Sequence, residues 1–388
     1  MIEDLHHAPP PVPSSALGAV RLADWGVIRA QGEEAAKFLH TQLTQDLALQ
    51  TGAQARLAGY CSAKGRLLAT MLALKPDELS VLLALPAEVL PATVKRLSMF
   101  VLRAKCKLSD DSAAWAVWGL SGAQARDWLA EAGEGAAPAT VWSVGRLALA
   151  DGREALATRL PDDGLTPRFL LLQPADAPAP ALPVIDPEEW QGLDVTAGLA
   201  WVRQGTVEQF VPQMLNLELL GGVNFQKGCY PGQEIVARSQ YRGTIKRRTH
   251  LFALDGSDAD ATPGQEIFHS ADPDQPAGLV AGFGRQEGRP LLLAEVKLAA
   301  LESGTLHLGS VTGAVLTPVP CLTSSENLNE HLAADARRCA AHRPSCQPLD
   351  RTGRALRLLP RPRGPADGRA GRLRTGASGA AGAAAAAP

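Results

Sequence analysis

A cysteine that follows a lysine by two residues and precedes a helix start is set up for thiol chemistry, and Cys229 is such a residue. It sits in Gly221-Gly222-Val223-Asn224-Phe225-Gln226-Lys227-Gly228-Cys229-Tyr230-Pro231-Gly232-Gln233-Glu234, the densest run of unusual residues in the chain. A nearby ammonium and the positive end of a helix both favour thiolate over thiol, which raises nucleophilicity and affinity for soft metals. The glycines, Gly228 among them, allow left-handed backbone or close approach to a ligand. Pro231, Gln233 and Glu234 read as a helix start with proline in the first turn and an acid near the positive end. Glu234 can pair with Arg238 one turn on. The competing reading is a buried cysteine filling space under a turn. The flanking glycines and basic residues favour the reactive thiol. It could ligate iron transiently, exchange with a disulfide or attack an activated one-carbon unit.

The rest of the sequence must position this segment. Residues 18–110 read as an αβ unit: a strand over 19–30 containing Trp25, then a helix opened by Gly32-Glu33-Glu34, with Ala36, Phe38, Leu39 and Leu43 at helical spacing. Strands over 56–61 and 67–74 are joined by the turn Ser62-Ala63-Lys64-Gly65, a third covers 79–85, and a helix runs from about Pro86 to Ala104. Residues 111–248 repeat the grammar, with a strand at 115–120, a helix at 123–132 and strands from Val141. A Pro/Ala stretch at 173–187 reads as a linker. Residues 249–320 change to short β runs at 251–254, 278–283, 290–297 and 311–316, which suggests a small barrel or sandwich.

Charge and composition narrow the function classes. From Cys321 onward there are 11 Arg, no Lys and 5 acids, leaving 27 basic against 35 acidic residues in 1–320, a balance of −8. An acidic body argues against direct nucleic-acid binding. No apolar run is long enough to span a membrane. The N-terminal 17 residues read as a flexible arm without a secretory or transit pattern, which makes the cytoplasm the expected compartment. Three widely spaced body cysteines form neither a disulfide framework nor a metal knuckle, and the eight histidines show no metal spacing. The segment 321–388 reads as a disordered Arg/Ala/Pro/Gly tail. Its loss of every Lys while Arg persists also fits GC-rich DNA read in a shifted frame.

Lys-Gly-Cys-Tyr-x-Gly-Gln-Glu, with Arg238 and Gly243 beyond it, resembles the signature of the YgfZ-type folate-binding proteins, relatives of the glycine-cleavage T-protein that serve iron–sulfur enzymes. The resemblance continues through residues 210–218, through Trp25-Gly26 to Thr44-Gln45-Asp46, through Cys61 to Arg66 and through Phe100 to Lys107, covering about 18–320. It implies an α+β, three-part T-protein-like fold, with two αβ domains interlocked around a folate cavity and a C-terminal β-barrel. The first αβ domain would be completed by part of 190–248. It further implies a tetrahydrofolate ligand, iron–sulfur client enzymes such as tRNA methylthiolases or cluster carriers as partners, and a bacterial cytoplasmic setting.

Trp25 and Trp190 match tryptophans implicated in folate binding in that family, and indole faces suit flat heteroaromatic rings. Either could equally be a core residue at a domain seam. Gln213 and Asn216 could bond a pterin edge or fix a loop, and Lys64 and Arg66 could meet folate carboxylates. Ser62 stands where the family often has Asp. The T-proteins' Asn and catalytic Asp have no counterpart in Ala84-Leu85-Pro86-Ala87-Glu88. A conventional enzyme is therefore not expected, and a folate-dependent aminomethyl or methyl transferase is the alternative.

Overall fold

The structure is a computed structural model and describes residues 17–320 except 134–136, 244 and 257. The arm ahead of Leu17 and the 321–388 tail, with its expected disorder or shifted frame, lie outside the described residues. Leu17, the one described residue of the arm, is buried.

Thirteen residues at the start contribute to two different sheets. The strand expected over 19–30 is two strands, β1 (Ala19–Arg21) and β2 (Trp25–Gln31), separated by a turn. The backbone N–H of Trp25 closes that turn on Leu22 O at 3.2 Å. The exposed residues Arg21, Ala23 and Asp24 mark the break, but they are too few to stand out between two largely buried halves. After α1 (Ala35–His40) come β3 (Arg56–Cys61), β4 (Leu67–Asp77) and β5 (Ser80–Pro86). Next are α2 (Leu90–Met99) and β6 (Lys107–Asp110), and the first sheet has the order β3-β4-β5-β2-β6. Alternation along each strand divides its side chains between two cores. Ile28, Met71 and Leu83 pack with Leu39 and Leu97 under the helices, while Val27, Leu72 and Leu82 face a central core. The helix expected to reach Ala104 stops at Met99, because the chain must turn back to β6. There the Lys105 N–H is held by the Glu34 carboxylate at 2.8 Å.

The second sheet takes β1 as its edge. Its other strands are β7 (Trp115–Ser121), β8 (Val144–Ala148), β9 (Glu154–Leu160) and β10 (Arg168–Pro174), in the order β1-β7-β10-β9-β8, with α3 (Ala123–Ala132) against its outer face. Its inner residues Val117, Leu156, Leu170 and Leu172 join the same central core as Val27 and Leu72. The expected linker begins inside β10 and then leads to α4 (Pro187–Thr196), a helix that periodicity did not announce. Its signal was in the capping: Asp186 accepts the Glu188 N–H at 2.8 Å and Pro187 stands at the first position.

After α5 (Gln233–Tyr241) the chain closes a barrel from β11 (Arg247–Leu254), β12 (Glu266–His269), β13 (Asp272–Gln286), β14 (Arg289–Lys297), β15 (Leu306–Leu308) and β16 (Val315–Pro318). The order is β11-β14-β13-β12-β15-β16. Phe252, Ile267, Val280 and Leu292 fill it, while the alternate residues Leu251, Ala253, Leu291 and Leu293 pack on the central core. β12 and β15 are too short to show a pattern. The run expected at 311–316 is mostly a turn, with the Gly313 N–H on Ser310 O at 2.9 Å.

Candidate functional site

The segment around Cys229 is a loop held from both sides. Lys227 is 8% exposed, and its ammonium donates to the carbonyls of His40 and Leu43, the latter at 2.7 Å, just beyond α1. The Tyr230 ring lies 4.8 Å from that ammonium. On the other side, Gly232 has φ +78°, and a Cβ there would stand 2.4 Å from Ser62 O and 2.6 Å from the Gly65 Cα. The loop and the Ser62–Arg66 turn therefore touch backbone to backbone. Arg66 ties the same turn to the Gln209 carbonyl. Cys229 itself is exposed, which sets aside the reading of a cysteine buried under a turn.

The helix start differs from expectation. α5 begins at Gln233 with Gly232 as its N-cap, so Pro231 lies outside the helix rather than in its first turn. The left-handed Gly232 needed for contact with Ser62 and Gly65 is incompatible with starting the helix earlier. Glu234 and Arg238 pair at 3.1 Å, both exposed. Gly228 is exposed, and a Cβ there would meet only the His40 Nε2 at 3.6 Å.

Lys227 carries an electrostatic consequence. Burial pushes its amine down to about 8, while the charges of Asp46 and Cys229 pull it back up. Between that value and the ordinary lysine range of about 10.4 the unfolded chain binds the extra proton, so stability rises with pH across the window. Urea unfolding of the parent should show that rise, and Lys227→Met should flatten it. A parental profile that is flat or falls across the window would remove Lys227 as a buried charge.

His40 and Asp46 are functional candidates that sequence reasoning passed over. Their Nδ1 and Oδ1 atoms stand 3.0 Å apart beside the loop. Burial raises the Asp46 carboxyl, but the Leu49 N–H and His40 outweigh it, and the net shift is downward. A lone His at a helix end gives no sequence signal; only the folded path of Lys227 to the His40 carbonyl reveals it.

The other expected residues lie deeper. Gln213 donates to Val236 O at 2.8 Å, joining the 212–215 turn to α5. Asn216, at φ +54°, donates to Thr249 O at 2.9 Å and accepts from Arg248 Nη1 at 2.7 Å. Arg248 also pairs with buried Glu218 at 2.8 Å. The Gln213 amide thus fastens the turn to α5 and the Asn216 amide fastens it to the barrel, while Gln213 Oε1 and Glu218 Oε2 find no partner among the described residues.

Trp25 packs edge-to-face on Trp201, ring centroids 4.8 Å apart. Trp190 lies over Gly119, where a Cβ would strike its ring at 2.6 Å, and the Arg168 guanidinium covers it at 4.6 Å. Trp201 belongs to the wall of a cavity of about 360 Å³, together with Gln191, Asp194, Arg203, Thr262 and Phe283. Asp194 accepts from Arg168 and from the Trp201 indole N–H at 3.2 Å. Desolvation raises its carboxyl above the usual range despite the Arg168 charge. The expected tryptophans thus flank the residues that line the cavity. Trp201, Asp194 and Arg203 were not singled out because nothing in the sequence shows which of several tryptophans and acids face inward.

No protein-family model matches the chain. The tRNA-modifying protein YgfZ of Edwardsiella ictaluri (strain 93-146) is 34% identical over 250 residues, covering 62% of this chain and 72% of that protein. The chain belongs to the YgfZ family. Among solved structures, glycine cleavage system aminomethyltransferase T from Bartonella henselae matches 80% of this YgfZ-family chain and 87% of its own length, with TM-score 0.60 and 16% identity. That likeness establishes the T-protein-like fold expected from the sequence. No helix among the described residues is long and apolar enough to cross a membrane.

Proposed function

We propose that this YgfZ-family chain is a folate-binding accessory protein of the bacterial cytoplasm that supports assembly or repair of iron–sulfur clusters in tRNA-modifying enzymes. The supporting observation is the combination of an exposed thiol on a braced loop with a cavity suited to a heteroaromatic ligand. At about 360 Å³ the cavity falls within the range of small-molecule sites. Trp201 and Phe283 offer flat apolar faces, Asp194 offers a buried carboxyl that already accepts from Arg168 and Trp201, and Arg203 offers a cation for a carboxylate. Arg203 already pairs with Asp24 at 2.7 Å and Glu88 at 3.5 Å, so a folate carboxylate would compete with them. The donor set fits tetrahydrofolate, which when bound would supply a one-carbon or reducing group. Trp25 and Trp190 act by holding Trp201 and the Arg168–Asp194 pair. Gln213 and Asn216 act by fixing the loop, and Gly228, Gln233 and Glu234 by shaping its exposed end. Iron–sulfur client enzymes or cluster carriers are the partners of Cys229.

A second reading, a folate-dependent aminomethyl or methyl transferase, draws on two carboxyls of the cavity wall, Asp194 and Glu88. It needs one of them as a proton acceptor beside the ligand.

Cells carrying Cys229→Ala are expected to lose cluster-dependent tRNA methylthiolation while the protein folds normally. Trp201→Ala should weaken tetrahydrofolate, titrated by the fluorescence of the remaining tryptophans, at least about tenfold, the loss of a stacking face. Wild-type methylthiolation with folded Cys229→Ala would refute the thiol role. Loss of activity in Asp194→Asn but not in Cys229→Ala would favour the transferase.

A further inference from the structure

A second cavity, of about 270 Å³, opens on the opposite surface of the first sheet, between α2 and the chain around Gln204 and Val207. Its walls are largely apolar, with Leu68, Val89 and Met99 among them, and two cations, Lys95 and Arg96, stand at its edge. Neither makes an ion pair among the described residues.

The polar atoms inside are what make it more than a surface dimple. The Tyr60 side chain is 1% exposed, yet its hydroxyl has no hydrogen-bond partner of normal geometry, although the Arg96 guanidinium faces it. Arg96 Nε is likewise buried and unpartnered. An orphaned hydroxyl and an orphaned guanidinium N–H each cost about 1–3 kcal/mol if left so. Two such donors, side by side in an apolar recess, are satisfied together by one anionic oxygen pair. Arg matches a carboxylate in geometry as well as charge.

We propose that this cavity binds an apolar carboxylate, with its body against Leu68, Val89 and Met99 and its anionic head between Tyr60 and Arg96. Lys95 adds attraction at the mouth. The volume lies just below that of sites for drug-sized ligands, which favours a short acyl chain or a single aromatic ring. Burial raises the Tyr60 phenol, with the Arg96 charge pulling the other way, so the hydroxyl stays protonated and remains a donor. The site is separate from the cavity of Trp201 and does not depend on the folate reading.

The full chain would be titrated calorimetrically with octanoate, with 4-phenylbutyrate and with neutral octanamide. At least one carboxylate should bind, and octanamide at least about tenfold more weakly, the worth of a charge-assisted pair. Octanoate ahead of phenylbutyrate would identify an acyl ligand, and the reverse an aromatic one. Arg96→Met should cost about tenfold or more. Tyr60→Phe should weaken binding by more than it lowers the unfolding midpoint, since the hydroxyl it removes makes no hydrogen bond of normal geometry and faces only the Arg96 guanidinium. Ala92→Leu, which grows into the cavity from an exposed position, should abolish binding, and Trp201→Ala should leave it unchanged. No carboxylate binding at millimolar concentration, equal binding of octanamide, or indifference to Arg96→Met would each overturn the proposal.

Discussion

An Arg168→Met variant is expected to lose about 3–5 kcal/mol of stability at neutral pH, the cost of leaving a buried charge without its partner. Arg168 is 1% exposed and donates to Asp194, to Leu193 O at 2.8 Å and to Pro161 O at 3.2 Å, with Trp190 stacked beneath it. Methionine keeps much of the volume, so the loss would be electrostatic and not a cavity effect. Asp194 already sits above the usual carboxyl range because of desolvation, and Arg168 is the main group pulling it down. A raised carboxyl binds a proton in the folded state that the unfolded chain has released. Its contribution therefore weakens as pH rises from the unfolded value of about 3.9 through the folded one. Removing Arg168 raises the folded value further, so the deficit of the variant should be smaller at about pH 5 than at about pH 7.5. Urea denaturation at both pH values reads this directly. Adding Asp194→Asn should recover part of the loss. A deficit under about 1 kcal/mol, equal at both pH values, would show that the pair is solvated.

Gly192→Ala is expected to cost about 3 kcal/mol, near the upper end for forcing atoms into a packed interior. A Cβ on Gly192 would stand 1.9 Å from Arg285 O, and one on Gly284 would stand 2.1 Å from Gly192 N. α4 and β13 thus meet through two glycines, backbone on backbone, with nothing flexible to yield. The same helix brings Gln191 and Asp194 to the cavity and β13 brings Phe283. Separating the two should therefore weaken folate by more than the stability loss alone explains, measured where both variants remain folded. Gly288→Ala is the control: φ is +76° there, but a Cβ would meet nothing within 4 Å. It should cost only the backbone strain of about 1–2 kcal/mol and leave folate binding alone. If the two variants behave alike, the α4–β13 contact is not rigid.

Legibility in the sequence followed periodicity and broke down with distance along the chain. β3 and α3 fall on the expected residues because turn composition and amphipathic spacing are local signals. The break between β1 and β2 is marked only by exposed Arg21, Ala23 and Asp24, too short an interruption between buried Val20 and Val27 to read as a change of sheet. α4 was signalled by its cap, not by a stripe, since Trp190, Leu193 and Val195 are buried along with Gly192 and Asp194. At the Cys229 loop, spacing predicted the Glu234–Arg238 pair, which forms at 3.1 Å. It could not find His40, because the Lys227 contact spans 187 residues. Nor could it distinguish Trp201 from Trp25 and Trp190, because the three cluster only once the sheets face one another.

The turn at residues 22–24 has a consequence for how the chain acquires its shape. Two strands that leave the ribosome together are bound for separate sheets. β2 finds partners in β5 and β6, within about the next eighty residues, while β1 must wait for β7 and also meets Val184 through a bridge. The N-terminal strand is therefore a late latch: the first sheet can assemble during synthesis, but its leading end stays unpaired until the second follows. Contacts of that sequence separation slow folding and leave an edge open to wrong partners.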